Sequence, residues 1–449
     1  MPCVSSVAKA KHNVNIERYC NWTSCADPMP QMSSKQFCEC INENDDLHKD
    51  TLNCLLNDVK EKQLRYNPHI DWAQVGEDID NGEIVTDVTL NRDGSILAVS
   101  YAENPAKVFK YNNITNSWVQ LGSDIVFPTT VIRSHLNSTG DVLVLGNSNQ
   151  DIVRVFQFDG SDWGQLGQDL TGAANEDLGA EVKINSAGDV IATLSTRTAL
   201  VEQVKIWRLI GSTWTQLGSP IDSLFNDDML NNFGKYLSLN AEGDIIAIGS
   251  QNDAGGSNRG QLRVFQYYGT SWNQVSFFDG LNDEDRLGED VSMNLQGNIV
   301  AVSVPGNDDA GSGAGQIKVL KRDGSNDLVQ VGNDINGQVI SGAEDFLGRV
   351  SINDEGNRIL VGYLGADGPN ANDAGAIAVY QFNGANWAQM GQHIVSDSSG
   401  NNSSWGNLVS ISGDGSRIVA GARSSNATFV RVYERILDSC LDEQLTKLN

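Results

Sequence analysis

Along most of the chain, apolar residues alternate with polar ones in short runs, and each run is cut by a glycine with Asp, Asn or Ser beside it. Alternation with period two places every second side chain on one face of a strand, whereas a helix needs apolar residues at spacings of three and four. The segment Val88-Thr-Leu-Asn-Arg-Asp-Gly-Ser-Ile-Leu-Ala-Val is typical: an alternating strand, a tight turn at Gly94, then a nearly continuous apolar strand. Polar residues beside glycine are what a tight hairpin turn requires. A strand apolar on both faces must be covered on both sides. Six further copies surround Gly140, Gly188, Gly243, Gly297, Gly356 and Gly415.

Two other patterns recur in step. One is an aliphatic-aromatic strand, as in Ala106-Lys-Val-Phe-Lys-Tyr, Val153-Arg-Val-Phe, Leu262-Arg-Val-Phe, Ile377-Ala-Val-Tyr and Val430-Arg-Val-Tyr. The other is Trp-x-Gln-Φ-Gly, with Φ aliphatic or Met. It reads Trp72-Ala-Gln-Val-Gly, Trp118-Val-Gln-Leu-Gly, Trp163-Gly-Gln-Leu-Gly, Trp214-Thr-Gln-Leu-Gly, Trp272-Asn-Gln-Val-Ser, Leu328-Val-Gln-Val-Gly and Trp387-Ala-Gln-Met-Gly. Each unit therefore predicts four strands, a to d, at 87–90, 96–100, 106–111 and 118–125 in the first. Seven such units repeated about an axis predict an all-β, seven-bladed propeller over 67–438. The chain enters the repeats at a strand d and leaves after a strand c. The N-terminal strand is thus expected to complete the last blade, which removes the open edges that an uncapped solenoid would keep.

Residues 1–66 differ. Leu52, Leu55, Leu56 and Val59 fall on one helical face, and Cys3, Cys20, Cys25, Cys38, Cys40 and Cys54 crowd this segment, with Cys440 alone in a tail at 439–449. A dense cysteine cluster beside a cysteine-free body reads as a small, mainly helical, disulfide-stapled cap in an oxidising compartment. Cys38 and Cys40 have one residue between them and no paired CxxC follows, which disfavours zinc. With seven cysteines one is left over for a free thiol or another chain. Cys440 bonded to the cap would tie the chain ends together.

N-glycosylation acceptor tripeptides begin at Asn21, Asn113, Asn137, Asn401, Asn402 and Asn426. Together with the cysteines they suggest a secreted or cell-surface glycoprotein, although Lys9, Lys11, His12 and Glu17 stand where the apolar part of a leader would run. The net charge is -26, which repels a nucleic-acid backbone, and no apolar stretch is long enough to span a membrane. The expected partners are extracellular proteins or glycans, including further copies of the chain.

Phe233-Gly-Lys-Tyr-Leu-Ser-Leu-Asn-Ala-Glu-Gly-Asp-Ile-Ile-Ala-Ile-Gly resembles the FG-GAP repeats of integrin-α-like propellers. Leu178-Gly, Leu287-Gly, Leu347-Gly and Trp405-Gly occupy the Phe-Gly position in other units. The resemblance implies a seven-bladed ring used in adhesion or assembly outside the cell. It does not extend to the calcium cage that such blades hold in a long Asp-rich a–b loop, because here that loop is a short turn such as Asn240-Ala-Glu-Gly-Asp.

Strand alternation places the b–c and d–a connections on one face of the ring and the short a–b turns on the other. The first face carries insertions at 170–179, 222–233, 280–287 and 337–347, and within units at 252–260, 306–315 and 365–375. Its acids, Asp227, Asp228, Asp253, Asp283, Glu284, Asp285, Asp308, Asp309, Glu344, Asp345, Asp367 and Asp373, are candidate partner-binding residues, the alternative being a solvated rim. No catalytic, cofactor or metal motif is found. The histidines are scattered, no HExxH, GxSxG or P-loop occurs, and Gly311-Ser-Gly-Ala-Gly lacks the Lys-Ser/Thr and helix of a phosphate loop. The repeated tryptophans read as inter-blade packing, with Trp22, Trp207 and Trp405 left as the ones a lectin could use. A structural or adhesive scaffold is expected. A lectin would need one aromatic and polar pocket repeated across blades, and a glycosidase or lyase would need acids converging on the axis.

Overall fold

In a computed structural model of the chain, the described residues run from 72 to 436, apart from 81, 104, 128–132, 175, 197–201, 224–235, 252–256, 338–346 and 399–401. By internal contacts the chain divides into Ala73–Glu434, which carries the blades, and a second unit of Met1–Trp72 with Arg435–Asn449. The cap, all seven cysteines, Asn21 and Asn401 lie outside the described residues.

Seven antiparallel sheets follow one another along the chain. The first blade comprises Val85–Leu90, Ile96–Tyr101, Lys107–Asn112 and Ser117–Gln120, so strands a to c lie within two residues of their expected bounds. The last comprises Leu408–Ile411, Arg417–Gly421 and Phe429–Arg435, and the N-terminal pieces Trp72–Gln74 and Ile79–Asp80 pair with its third strand. Ile79 faces Val430 and Asp80 faces Phe429. The ring closes as the register demands: a seven-bladed β-propeller. Among the described residues a single 3-10 turn at Ser148–Gln150 is the one helical element, and no helix is long and apolar enough to cross a membrane.

Apolar layers between neighbouring blades hold the ring together. All six residues of Val142–Asn147 and of Ile245–Ser250 are buried, as expected for second strands covered on both faces. One layer joins Val85, Val88, Leu97 and Val99 of the first blade to Leu408, Val419, Val430 and Val432 of the last, so closure is a packed interface as well as a shared sheet. Burying a side chain of this size is worth about 1.5–3 kcal/mol.

Every letter of Trp-x-Gln-Φ-Gly has a place in this scheme. The indole N–H of Trp163 donates to the Leu121 carbonyl of the preceding blade at 2.8 Å, and Trp118, Trp214, Trp272 and Trp387 do the same to Val75, Leu166, Leu217 and Val331. The ring lies over the preceding motif's glycine, where a Cβ on Gly122 would come 2.8 Å from Trp163. The motif Gln turns back on its own blade: Gln165 Nε2 donates to Gly167 O at 3.1 Å and to Asp169 at 2.9 Å. That glycine adopts positive φ, 76° at Gly122, so strand d is broken there instead of running on to 125 as its apolar pattern suggests. Two blades run through this point unbroken, Trp272–Asp279, where Ser276 replaces the glycine, and Trp387–Val395, in spite of a φ of 75° at Gly391; the blade after Ser276 offers Leu328 where the others have Trp. The two departures meet at one interface, where the Ser276 hydroxyl bonds the Asn326 carbonyl.

The Phe-Gly-like positions are a second steric device. Leu178, Leu287 and Trp405 are buried, and their following glycines take φ values of 94°, 97° and 93°. Gly179, Gly288 and Gly406 thereby bring their carbonyls against Gly146, Gly249 and Gly362 of the preceding blade, where a Cβ would collide.

Candidate functional site

The seven innermost strands surround an axial channel with two cavities, of about 160 and 170 Å³. At the turn end each blade contributes one a–b turn, and six of these begin with Asn. Asn185 shows the logic: its Oδ1 accepts from the N–H groups of Gly188, Asp189 and Val190 at 2.9–3.1 Å, while its Nδ2 donates to Asp189 at 2.8 Å. Ser412 takes this part in the last blade, accepting from Arg417 N at 2.9 Å. The residue after each of these positions donates its N–H to the same residue's carbonyl in the next blade: Arg92 to Ser138, Ser138 to Ser186, Ser186 to Ala241, Ala241 to Leu295, Leu295 to Asp354, Asp354 to Gly413, and Gly413 back to Arg92. Seven backbone hydrogen bonds thus form an unbroken girdle, with Gly413 N to Arg92 O (2.6 Å) as the closing link.

The other end is charged. Four residues before each turn Asn, the innermost strand or its lead-in presents Asp87, Arg133, Glu181, Tyr236, Asp290 and Arg349; two before it stand Thr89, His135, Lys183, Ser238, Ser292 and Ser351, with Ser410 in the last blade. An innermost strand leaves backbone N–H groups facing the channel that need acceptors. Here the preceding blade supplies them: Ser410 accepts from Leu90 N (3.2 Å), Ser238 from Met293 N (3.0 Å), Ser292 from Ile352 N (3.1 Å) and Ser351 from Ile411 N (3.2 Å). Asp87 accepts from Ser134 N and Asp290 from Val350 N, each at 2.9 Å.

Glu181 is the electrostatic hub. Its carboxylate, almost wholly buried, takes Arg133 on one oxygen and Lys183 on the other, each at 2.6 Å. Burial alone would raise its pKa, but the two cations hold it below the usual carboxylate range. Lys183 shows the converse: burial works to lower it, and Glu181 with Asp87 keeps it above its ordinary value. Burial pushes Asp87 up to about 6 against the pull of Arg133 and Lys183, and raises Asp290 as well. His135 accepts from Ile184 N through Nδ1, and burial, with Lys183 nearby, lowers it to about 3, so the ring is neutral at physiological pH. Arg349 donates from Nε to Asn407 Oδ1 at 3.0 Å and lies over the Tyr236 ring, 4.8 Å from its centroid. Among the described residues no three His, Cys, Asp or Glu side chains gather closely enough to hold a metal ion.

The acids expected on the loop face divide. Asp283, Asp308 and Asp309 are exposed. Asp285 is 4% exposed, and its carboxylate caps the N–H of Asn282, so it is a structural residue and not a contact residue. Asp367 accepts from Asp373 N within its own loop. Asp227, Asp228, Asp253, Glu344 and Asp345 lie outside the described residues. Of the glycan acceptors, Asn113, Asn402 and Asn426 are exposed. Asn137 is 3% exposed and its amide nitrogen donates to Thr139 and Asp141, because it is one of the turn asparagines. Trp405, a candidate sugar platform by sequence, is fully buried.

Sequence reading missed the axial charges because no two neighbouring blades repeat them. Reading down the column four residues before each turn Asn would have exposed them.

No family model and no curated protein matches the sequence. Among solved structures, the chain is similar to the β-propeller domain of Cps50 (Swd1) from Myceliophteria thermophila, with a TM-score of 0.55 and 9% identity, covering 81% of this chain and 99% of that one. Similarity at that identity speaks to fold alone. The protein is a seven-bladed β-propeller. Membership of the FG-GAP family is not shown by these matches.

Proposed function

We propose that the chain is a non-enzymatic interaction scaffold of an extracellular or cell-surface assembly, docking its partner on the loop face. The observation that carries this reading is the asymmetry of the ring. Seven near-identical turns are welded into a girdle on one side, while the other bears connections of unequal length with exposed Asp283, Asp308 and Asp309. Variable loops on a rigid frame are where binding residues concentrate. Exposed acceptors Asn113, Asn402 and Asn426 and the N-terminal cysteines support the location. Carboxylate-directed cross-linking of the native assembly is the test. Links to other chains should fall on Asp283, Asp308 and Asp309 and spare the exposed turn-face acids Asp93, Glu242 and Glu355; an even spread over both faces would sink the reading.

One observation favours a second reading. Asp87, Glu181 and Asp290 line the axial cavity, which is the convergence a glycan-cleaving propeller needs. Glu181 is already neutralised by two cations, which leaves Asp87 and Asp290 to serve. Hydrolysis of chromogenic glycosides by the wild type, abolished in Asp87→Asn, would replace the scaffold reading with this one.

A further inference from the structure

We propose that the charged end of the axial channel binds a small carboxylate-bearing ligand with the oxygen content of a sugar acid, gripped by Arg349. The cavity wall holds four cations, Arg133, Lys183, Arg349 and Arg423, against the carboxylates of Asp87, Glu181 and Asp290, in a chain whose net charge is -26. Two of the cations are engaged by Glu181. Arg349 is different. Nε is bonded to Asn407, but Nη1 is buried and finds no acceptor, and the buried Oγ of Ser134 in the same wall is likewise unpaired. Leaving a buried guanidinium donor unmatched is costly, and native proteins seldom tolerate it without a ligand or water.

The serines add to the same sign. Ser238, Ser292, Ser351 and Ser410 each use the oxygen to accept a neighbouring backbone N–H, so each hydroxyl hydrogen is left to donate. The wall is therefore rich in donors. A ligand that matches it must be rich in acceptor oxygens and carry negative charge, with the planar guanidinium favouring a carboxylate. Size is bounded as well. A volume of about 160 Å³ equals roughly five waters at ~30 Å³ each. The girdle encircles the turn end and its residues line the second cavity, of about 170 Å³, so the space on offer suits a small molecule or a chain terminus. The site stands independently of the loop-face reading, since its residues are axial.

Calorimetric titration and thermal melting of the full chain with D-glucuronate, D-glucose and acetate test the site. Glucuronate should bind and raise the melting temperature, acetate should bind more weakly, and glucose should do neither. Arg349→Gln should weaken glucuronate by roughly tenfold or more, the loss of one charge-assisted hydrogen bond. If that variant does not fold, Ser292→Ala combined with Ser351→Ala should weaken binding in its place. Equal responses to glucuronate and glucose, no response to glucuronate, or unchanged affinity in the folded variants would each overturn the proposal. A glucuronate-terminated oligosaccharide distinguishes the source: binding equal to the free acid assigns a glycan end, and no binding assigns a free metabolite.

Discussion

The two ends of the channel are built from the same seven strands, only four residues apart, and obey opposite rules. At the turn end nearly every blade uses the same residue in the same way. Asn91, Asn137, Asn185, Asn240, Asn294 and Asn353 cap their own turns, and the peptides beside them join into a girdle. At the loop end Asp87, Arg133, Glu181, Tyr236, Asp290 and Arg349 occupy equivalent places with six side chains of which no two neighbours agree. Repetition marks what the ring needs in order to close. Departure from repetition, at positions that apart from Glu181 are half-buried, marks what closure does not require and function can use.

Glu181 should show the largest effect. Glu181→Ala strands Arg133 and Lys183 without their counter-charge, at a cost of about 3–5 kcal/mol in urea unfolding. A cost below about 1 kcal/mol would mean that the charged end is solvated and the comparison is one of exposure only. Next comes Asn185→Ala at the opposite end, which takes the acceptor from the N–H groups of Asp189 and Val190 and should cost about 2–3 kcal/mol. Equal costs at Asn137 and Asn240 would confirm that the turns are interchangeable, and widely unequal ones would break the claim.

Acidity separates the ends further. The folded chain raises the Asp87 carboxyl from 3.8 to about 6, so it binds that proton more tightly than the unfolded chain does. The associated stability is full below pH 3.8 and is lost as pH rises through 6, by an amount on the order of 3 kcal/mol. The stability difference between wild type and Asp87→Asn should therefore change over this window, with Arg133, Lys183 and Glu181 as the charges facing the group. A flat difference curve would place Asp87 in water. Smallest is Trp163→Phe, which removes the 2.8 Å bond to Leu121 O and should cost about 1 kcal/mol. Lying at the outer rim, it is the reference against which both ends are judged.

The fold was legible because each of its demands recurs. Trp-x-Gln-Φ-Gly encodes one blade-to-blade lock, the Gly-centred hairpin encodes the next, and the offset between first and last motifs encodes closure. Even the exceptions were informative, since Ser276 and Leu328 turn out to share one interface. What stayed hidden depends on single side chains in space. Asp285 carries the same charge as Asp283 two positions earlier, yet one is buried as a cap and the other is exposed. Asn137 fits a glycan tripeptide and a turn motif at once, and only its hydrogen bonds decide between them. The axial residues lie within strands whose alternation reads as ordinary polar-apolar pattern, so nothing local distinguishes Arg349 from a solvent-facing arginine.

The girdle has one more consequence. Its seven residues run head to tail around a circle, each N–H pointing at the next blade's carbonyl, so the dipoles of these hydrogen bonds circulate and their sum in the plane of the ring is close to nil. A helix end concentrates aligned peptide dipoles into a partial charge. In this ring the components lying in its plane cancel instead, so the girdle adds no net dipole across the bore it encircles. The potential a ligand meets at the other mouth is written by side chains, and a change of sign there can retune it without touching the frame that closes the ring.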